Sequence, residues 1–119
     1  PETDSARQRA MNQLGNGLEE AGHYENELSV REAELSTEQR LGASESSILA
    51  TQNNLAITYQ DLGRSEEALR LRQEVYSGRL KLSGEEHVET LRAANNYAST
   101  LNELERFEEA KSVLRKTVP

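Results

Sequence analysis

The chain contains few of the residues that build a thick globular core or interrupt a helix. It has no cysteine, no tryptophan and 1 phenylalanine, and aromatic residues make up 4% of its 119 positions. Its 2 prolines stand at the first and last positions, so no proline breaks a helix between them. Without cysteine, a disulfide framework and a cysteine-based zinc site are both excluded. Because one thick core needs more apolar residues than this, the composition favours thin stacked layers of helices.

Charge and hydropathy exclude two classes of partner. The formal net charge is −7, and an acidic surface repels the phosphate backbone of a nucleic acid. No apolar run approaches the length of a membrane span or of a signal-peptide core. We therefore expect a cytoplasmic protein that binds neither nucleic acid nor membrane.

An internal repeat organises the chain. The segment 53–59, read as NNLAITY, returns 42 residues later as NNYASTL at 95–101, and several further identities share this register. A fainter upstream copy is shifted by 41 residues, so that Gly22 matches Gly63 and Leu28 matches Leu69. These matches, at shifts of 42 and 41 residues, predict a single domain over 1–119, with repeat units at about 4–43, 44–84 and 85–118.

Each unit has the pattern of two helices. Apolar residues of the second unit recur at spacings of three and four, which predicts amphipathic helices. Gly63 provides the left-handed conformation that ends the first helix, and Gly84 closes the unit. By the same register, Gly22 should end the first helix of unit one. The prediction is an all-α superhelix, or solenoid, of about three helical hairpins and six helices.

Small residues recur where paired helices would touch. Gly15, Ala56 and Ala98 share one position of the first helices, and Ala68 with Ala110 share one of the second. Helices that cross 8–10 Å apart need a small side chain at the closest approach. A hairpin of this size cannot bury both its faces alone, so the units must stack on one another.

The residues from 53 to 69 resemble the tetratricopeptide repeat: NNLA, then Tyr59, then LGR, then EEAL. The 42-residue unit and the turn LSGEEH at 82–87 are similar to the kinesin-light-chain subtype. The resemblance covers nearly the whole chain and implies a helical scaffold that binds other proteins. No polar capping helix follows residue 118, so a piece of a longer array is expected, or an apolar end that meets another copy.

The resemblance also implies a binding surface. In this family the first helix of each hairpin lines a concave groove, where asparagine amides can grip the backbone of an extended peptide. The alternative for Asn54 and Asn96 is that their amides bond locally between neighbouring helices or face water. The expected groove residues are Asn12, Gln13, Asn16, Asn53, Asn54, Ile57, Gln60, Asp61, Asn95, Asn96, Ser99, Asn102 and Glu103.

Acidic residues on the same face suggest the charge of the ligand. Glu19, Glu20, Asp61 and Glu103 would favour a basic or amine-bearing segment, although solvated surface charge explains them equally well. Some relatives hold a terminal carboxylate with lysine and arginine on the inner face. The corresponding positions here are mostly Asn, Ser, Asp and Glu, so that mode is not expected.

The sequence contains no recognisable catalytic constellation. Adjacent glutamates on a helix point about 100° apart and do not converge as a catalytic pair. His23 and His87 stand in separate predicted turns without a ligand motif, so neither a metal nor another cofactor is expected. Three hypotheses remain: a groove-binding scaffold, a self-assembly module that stacks through its terminal helices, and an enzyme with an unrecognised site. The first is preferred.

Overall fold

The computed structural model describes the backbone of residues 2–117 and the side chains of residues 22–116. These residues form helices and connecting turns, and no β-strand occurs among them. In chain order the five helices are α1 (Glu2–Leu41), α2 (Glu45–Asp61), α3 (Ser65–Ser83), α4 (Val88–Glu103) and α5 (Phe107–Thr117).

Each helix packs against the next one along the chain, and the short turns reverse its direction. Arg79, near the end of α3, reaches Ser46 at the start of α2, as an antiparallel pair requires. Gln60 and Glu103 meet at the ends of α2 and α4, so these two helices run parallel on one side of α3. The α2–α3 and α4–α5 pairs are helical hairpins.

The turns inside the two hairpins share one hydrogen-bond pattern. After α2, the amide of Arg64 donates to the carbonyl of Tyr59 at 2.8 Å, and that of Gly63 donates to Gln60 at 2.9 Å. The corresponding bonds follow α4, where Glu105 takes the glycine position. Both residues have a positive φ, 74° at Gly63 and 60° at Glu105. This Schellman pattern satisfies carbonyls at the helix end and needs a left-handed residue.

The alanines at the predicted contact positions are buried in both hairpins. Ala56 and Ala68 are fully buried in the first hairpin, and Ala98 and Ala110 are 2% exposed in the second. Ala98 and Ala110 belong to one core of buried residues from α3, α4 and α5. Its buried members are Leu69, Val75, Tyr76, Ala93, Ala94, Ala98, Leu101, Ala110 and Val113.

The prediction of six helices is not confirmed, because the first unit contains one helix where two were expected. Gly22 lies inside α1 and lacks the positive φ of Gly63. The position of Ala68 and Ala110 is occupied by Glu27 in the first unit. A long acidic side chain cannot enter the tight helix contact that an alanine makes. A continuous helix requires that α1 tolerate Gly22 in its interior, as it does Gly15 and Gly17.

The end of α1 is joined to the start of α2 by side chains. The carboxylate of Glu38 accepts hydrogen bonds from the hydroxyls of Ser47, at 2.6 Å, and Thr51. These two bonds favour the ionised form and hold the pKa of Glu38 below its ordinary value. Farther along, the Tyr59 hydroxyl donates to Glu32 at 3.0 Å. Thus α1 covers α2 on the side away from α3.

Glu105 offers a direct test of the hairpin turn. Replacing Glu105 with glycine removes the steric cost of a Cβ in the left-handed conformation, so the free energy of unfolding should rise by about 1 kcal/mol. Urea unfolding followed by circular dichroism measures this change. Glu105→Ala is the control, because it removes the charge but keeps the Cβ. Equal stabilisation by both variants would contradict the argument.

Gly22 distinguishes one long helix from a hairpin in the first unit. If Gly22 is a helix-interior residue, Gly22→Ala should raise helicity and stability by up to about 1 kcal/mol. Gly63→Ala is the matched control and should lower stability by a similar amount, because its φ is positive. The ellipticity at 222 nm and the urea midpoint report both changes. A loss of stability in Gly22→Ala would indicate a turn at that position.

Candidate binding groove

A groove lies between the parallel helices α2 and α4, and α3 forms its floor. It contains a pocket of about 140 Å³. Helix α2 contributes one wall, α4 contributes the other, and Val75 with Arg79 come from α3. The residues that line it are Ala50, Asn53, Asn54, Val75, Arg79, Glu89, Arg92, Ala93 and Asn96.

Three of the predicted groove residues meet in this pocket: Asn53, Asn54 and Asn96. Asn53 and Asn96 are half-buried, and Asn54 is exposed. Among the described residues, the side-chain amides of Asn54 and Asn96 form no hydrogen bond. Their backbone carbonyls accept bonds from Thr58 and Thr100, one helical turn later. Both amides are therefore available to a ligand, and local bonding does not account for them.

Four other predicted residues lie farther along the same helices, toward their carboxyl ends. Ile57 is 43% exposed, an unusual position for a large apolar side chain on a polar helix face. Asp61, Ser99 and Glu103 are also exposed. Helical spacing puts Ile57 and Asp61 on the face of Asn54, and Ser99 and Glu103 on that of Asn96. The groove thus continues from an asparagine pocket toward an acidic end.

The remaining predicted residues lie elsewhere. Asn95 and Asn102 are exposed on another face of α4 and do not line the pocket. Asn12, Gln13 and Asn16 belong to α1, and their side chains lie outside the described residues, as do those of Glu19 and Glu20.

Gln60 and Asn53 are used by the fold itself, through Arg72. Arg72 is 6% exposed, and its guanidinium donates to Asn53 Oδ1 at 2.5 Å and to Gln60 Oε1 at 2.6 Å. Gln60 in turn donates to Thr100 Oγ1 at 3.2 Å and to Glu103 at 3.3 Å. The side chains of Asn53 and Gln60 therefore form hydrogen bonds between helices.

The buried guanidinium is only partly satisfied. Its Nε has no hydrogen-bond partner among the described residues. Burial lowers the pKa of Arg72, and the charge of Glu103 opposes that shift. The guanidinium stays charged at any physiological pH. A buried cation held mainly by two neutral amides depends strongly on both of them.

Sequence reasoning missed three arginines at this groove. Arg72 interrupts the buried stripe of α3, whose other members are Ala68, Leu69, Val75 and Tyr76, and this interruption is a visible signal. Arg79 and Arg92 line the pocket, although inner-face arginines were not expected. Arg79 donates to the Ser46 hydroxyl at 3.0 Å, and Arg92 pairs with Glu89 at 3.3 Å. Arg79 belongs to α3, the second helix of its hairpin. The groove was expected to be lined by the first helix of each hairpin, so Arg79 was not predicted to line it.

A second cleft of about 290 Å³ lies between α3 and α5, on the other side of the stack. Tyr76 and Tyr97 form its floor, with ring centroids 6.0 Å apart. Burial raises the pKa of both tyrosines above the ordinary value. None of the predicted groove residues lines this cleft. This cleft is the competing location for a ligand.

The histidines have structural explanations. His87 is the N-cap of α4, where its Nδ1 accepts a hydrogen bond from the amide of Glu89 at 3.1 Å. His23 lies 3.6 Å from Glu27 on the same face of α1. The described part of the chain contains no group of three or more His, Asp and Glu side chains suited to a metal ion. It also contains no helix with the length and hydropathy needed to cross a membrane.

Residues 47–119 match the sequence model of the tetratricopeptide repeat family, and this match spans more than half of the chain. The chain belongs to that family. The match begins at the start of α2 and includes both hairpins and all three helices of the groove. Tetratricopeptide repeats generally mediate protein–protein interaction and typically have no catalytic role. Comparison with curated proteins found no match to this chain.

The Arg72 network should contribute measurably to stability. Gln60→Ala removes one of the two oxygen partners of a buried cation, and it removes the side-chain link to α4. Removing a partner from a buried charge costs more than removing one from a solvated charge, so the free energy of unfolding should fall by about 2 kcal/mol. Gln52→Ala is the control, because Gln52 bonds Glu74 at the surface. Equal losses in the two variants would show that Arg72 does not depend on Gln60.

Proposed function

We propose that this tetratricopeptide repeat protein is a non-catalytic scaffold that binds an extended segment of a partner protein between α2 and α4. The observation that carries the proposal is the pair of unbonded amides, Asn54 and Asn96, which face one pocket from opposite walls. An amide both donates and accepts, so two of them can bond a peptide backbone whatever its side chains are. Ile57 adds an exposed apolar contact one turn farther along.

The charge of the groove changes along its length. Arg79 and Arg92 lie at the end where α2 and α4 begin, while Asp61 and Glu103 lie where these helices end. The exposed carboxylates of Asp61 and Glu103 support the expectation that the partner segment is basic. We assign basic side chains of the ligand to that end.

The family assignment is extended by two further proposals. The 42-residue spacing of the two hairpins supports membership of the kinesin-light-chain-like subtype, with repeat units at 44–84 and 85–118 after a divergent first unit. The proposal also retains the cytoplasmic location expected from the sequence. The subtype and the location both go beyond the match to the tetratricopeptide repeat family.

Self-assembly is the second candidate function, and one comparison between the hairpins favours it. Gln60 bonds the following hairpin, whereas Asn102 occupies the same repeat position and has no hydrogen bond among the described residues. Phe107, the first residue of α5, is 53% exposed. A second copy could occupy this surface. Sedimentation velocity across a wide range of protein concentration separates the candidates, because a groove-binding scaffold does not require a rise in mass.

The groove is tested with a peptide selected from a random display library against the wild-type chain. Asn54→Ala combined with Asn96→Ala should weaken the binding of that peptide by about tenfold. This is the loss of affinity expected when two amide contacts of modest strength disappear. Fluorescence polarisation gives the dissociation constant, and circular dichroism confirms that helicity is retained.

Asn95→Ala combined with Asn102→Ala is the matched control. It removes the same two side chains from an exposed face of α4 that does not line the pocket. We expect a change below about twofold. If the two double variants bind equally well, or if the control alone weakens binding, the ligand lies outside this groove.

A further inference from the structure

Helix α1 lacks a neighbour that the repeat pattern assigns to it. Residues 24–41 of α1 correspond, 41 positions earlier, to residues 65–82 of α3. Among the described residues, α3 packs against both α2 and α4, whereas α1 packs against α2 alone. Since α2 stands to α1 as α4 stands to α3, the missing neighbour is the first helix of the hairpin to which α1 belongs.

The exposure of side chains marks the empty position on α1. The α3 residues Ala68, Arg72 and Val75 are buried. Their counterparts 41 residues earlier are Glu27, Arg31 and Glu34. Glu34 is exposed, and Val30 on the same face is 62% exposed. This face of α1 is therefore built like a buried hairpin face but has nothing packed on it among the described residues.

A cleft of about 340 Å³ lies along this face of α1. The described residues that line it are His23, Asn26, Glu27, Val30 and Arg31. Their spacings of three and four residues place them on one side of the helix. No other described helix contributes to the cleft, so a second helix has room to lie along it.

Residues 4–20 carry the sequence pattern of the missing helix. At the shift of 41 residues, Leu14 matches Leu55, and Gly15 takes the position of Ala56. These residues continue the same helix as residues 24–41, so they point away from the empty face of their own chain. In two antiparallel α1 helices, however, residues 4–20 of each copy lie beside residues 24–41 of the other, which is an exchange of identical elements.

The charges of the two segments are complementary in this register. In the first regular hairpin, the guanidinium of Arg72 donates to Asn53 at 2.5 Å and to Gln60 at 2.6 Å. The counterparts of these three residues in the first unit are Arg31, Asn12 and Glu19. The register thus places Glu19 of a second copy opposite Arg31. A carboxylate there replaces a neutral amide, and hydrogen bonds between two charged groups are the stronger kind.

The sizes of two facing residues are complementary as well. Ala56 and Ala68 of the first regular hairpin correspond to Gly15 and Glu27. The long side chain of Glu27 is therefore matched by a residue that has no side chain. Two helices of separate chains are also not held together by a short turn, so they can lie farther apart than the helices of a hairpin. The residue that prevents a tight hairpin in one chain is thus compatible with pairing between two chains.

We propose that two copies of this chain associate through antiparallel α1 helices, and that residues 4–20 of each copy form the missing first helix of the other copy's first unit. The interface is isologous, so every contact in it occurs twice. It lies at the opposite end of the helix stack from Phe107. It does not involve the groove between α2 and α4, so it is independent of the proposed peptide binding.

Gly15→Cys combined with Glu27→Cys tests the exchange in a chain that has no cysteine of its own. Along one continuous helix the two positions are about 18 Å apart, which is too far for a disulfide. Exchange brings them together between chains, so mild oxidation should convert most of the protein to a covalent dimer on non-reducing electrophoresis. An intramolecular disulfide would indicate a closed hairpin. That result, or the absence of any disulfide, would overturn the proposal.

Charge reversal tests the register without introducing cysteine. Arg31→Glu and Glu19→Arg should each raise the dissociation constant of the dimer at least about tenfold, because like charges then face each other. The two substitutions combined should restore it to within about threefold of the wild-type value. Sedimentation velocity across a range of protein concentration gives these constants, and circular dichroism confirms that helicity is retained. Failure of the combined variant to restore association would contradict the register.

Arg106→Glu is the matched control. Arg106 pairs with Glu109 three residues later at 2.7 Å, as Arg31 pairs with Glu34 at 3.3 Å, so both substitutions break the same kind of local ion pair. We expect Arg106→Glu to change the dissociation constant by less than about threefold. Because Arg106 adjoins Phe107, weakening by this variant alone would place self-association at the other end of the stack and overturn the proposal.

A wild-type chain that sediments with the mass of one copy at every concentration would also overturn the proposal. Peptide affinity in the groove is measured separately, with the selected peptide and the double variant of Asn54 and Asn96. A rise in mass that Arg31→Glu abolishes, without a change in peptide affinity, supports both proposals. Loss of one behaviour with retention of the other identifies which of the two fails.

Discussion

The guanidinium of Arg72 connects the three helices that form the groove. It lies on α3, takes its partners from α2 and, through Gln60, reaches Thr100 and Glu103 on α4. A buried cation leaves these amides little freedom, because any other arrangement would expose an unsatisfied charge to the interior. Through Gln60, this one side chain thus links α3 and α2 to α4 beside the pocket.

A second constraint acts at the contacts within each hairpin. Ala56 with Ala68, and Ala98 with Ala110, allow two helices to approach closely enough for the turn between them to close. Glu27 occupies the equivalent place in the first unit, and there the chain continues as one helix through Gly22. A glycine alone does not end a helix. The turn forms where the packing that follows it stabilises the reversal of the chain.

Periodicity and the 42-residue repeat were sufficient to predict an all-helical array and its two regular hairpins. The family resemblance, which implies that the first helix of each hairpin lines the groove, led to Asn53, Asn54 and Asn96, and these three residues line the pocket. The sequence indicated a fainter first unit, but the single continuous helix there was not predicted, although Glu27 at an alanine position is a readable sign of it. The use of Asn53 and Gln60 as partners of Arg72 was not predicted either. Repeat patterns identify which residues share a helix face, but a hydrogen bond between α2 and α3 depends on side-chain reach across the hairpin.

The central claim, that a partner segment lies between α2 and α4, is tested most directly by nuclear magnetic resonance. The side-chain amides of asparagine give separate signals, so the ¹⁵N-labelled chain can be titrated with the selected peptide and each amide followed. The account predicts that the signals of Asn54 and Asn96 shift together with the backbone amide of Ile57. Shifts confined to Tyr76, Tyr97 and Ser112, with Asn54 and Asn96 unchanged, would place the ligand in the cleft between α3 and α5 and contradict it.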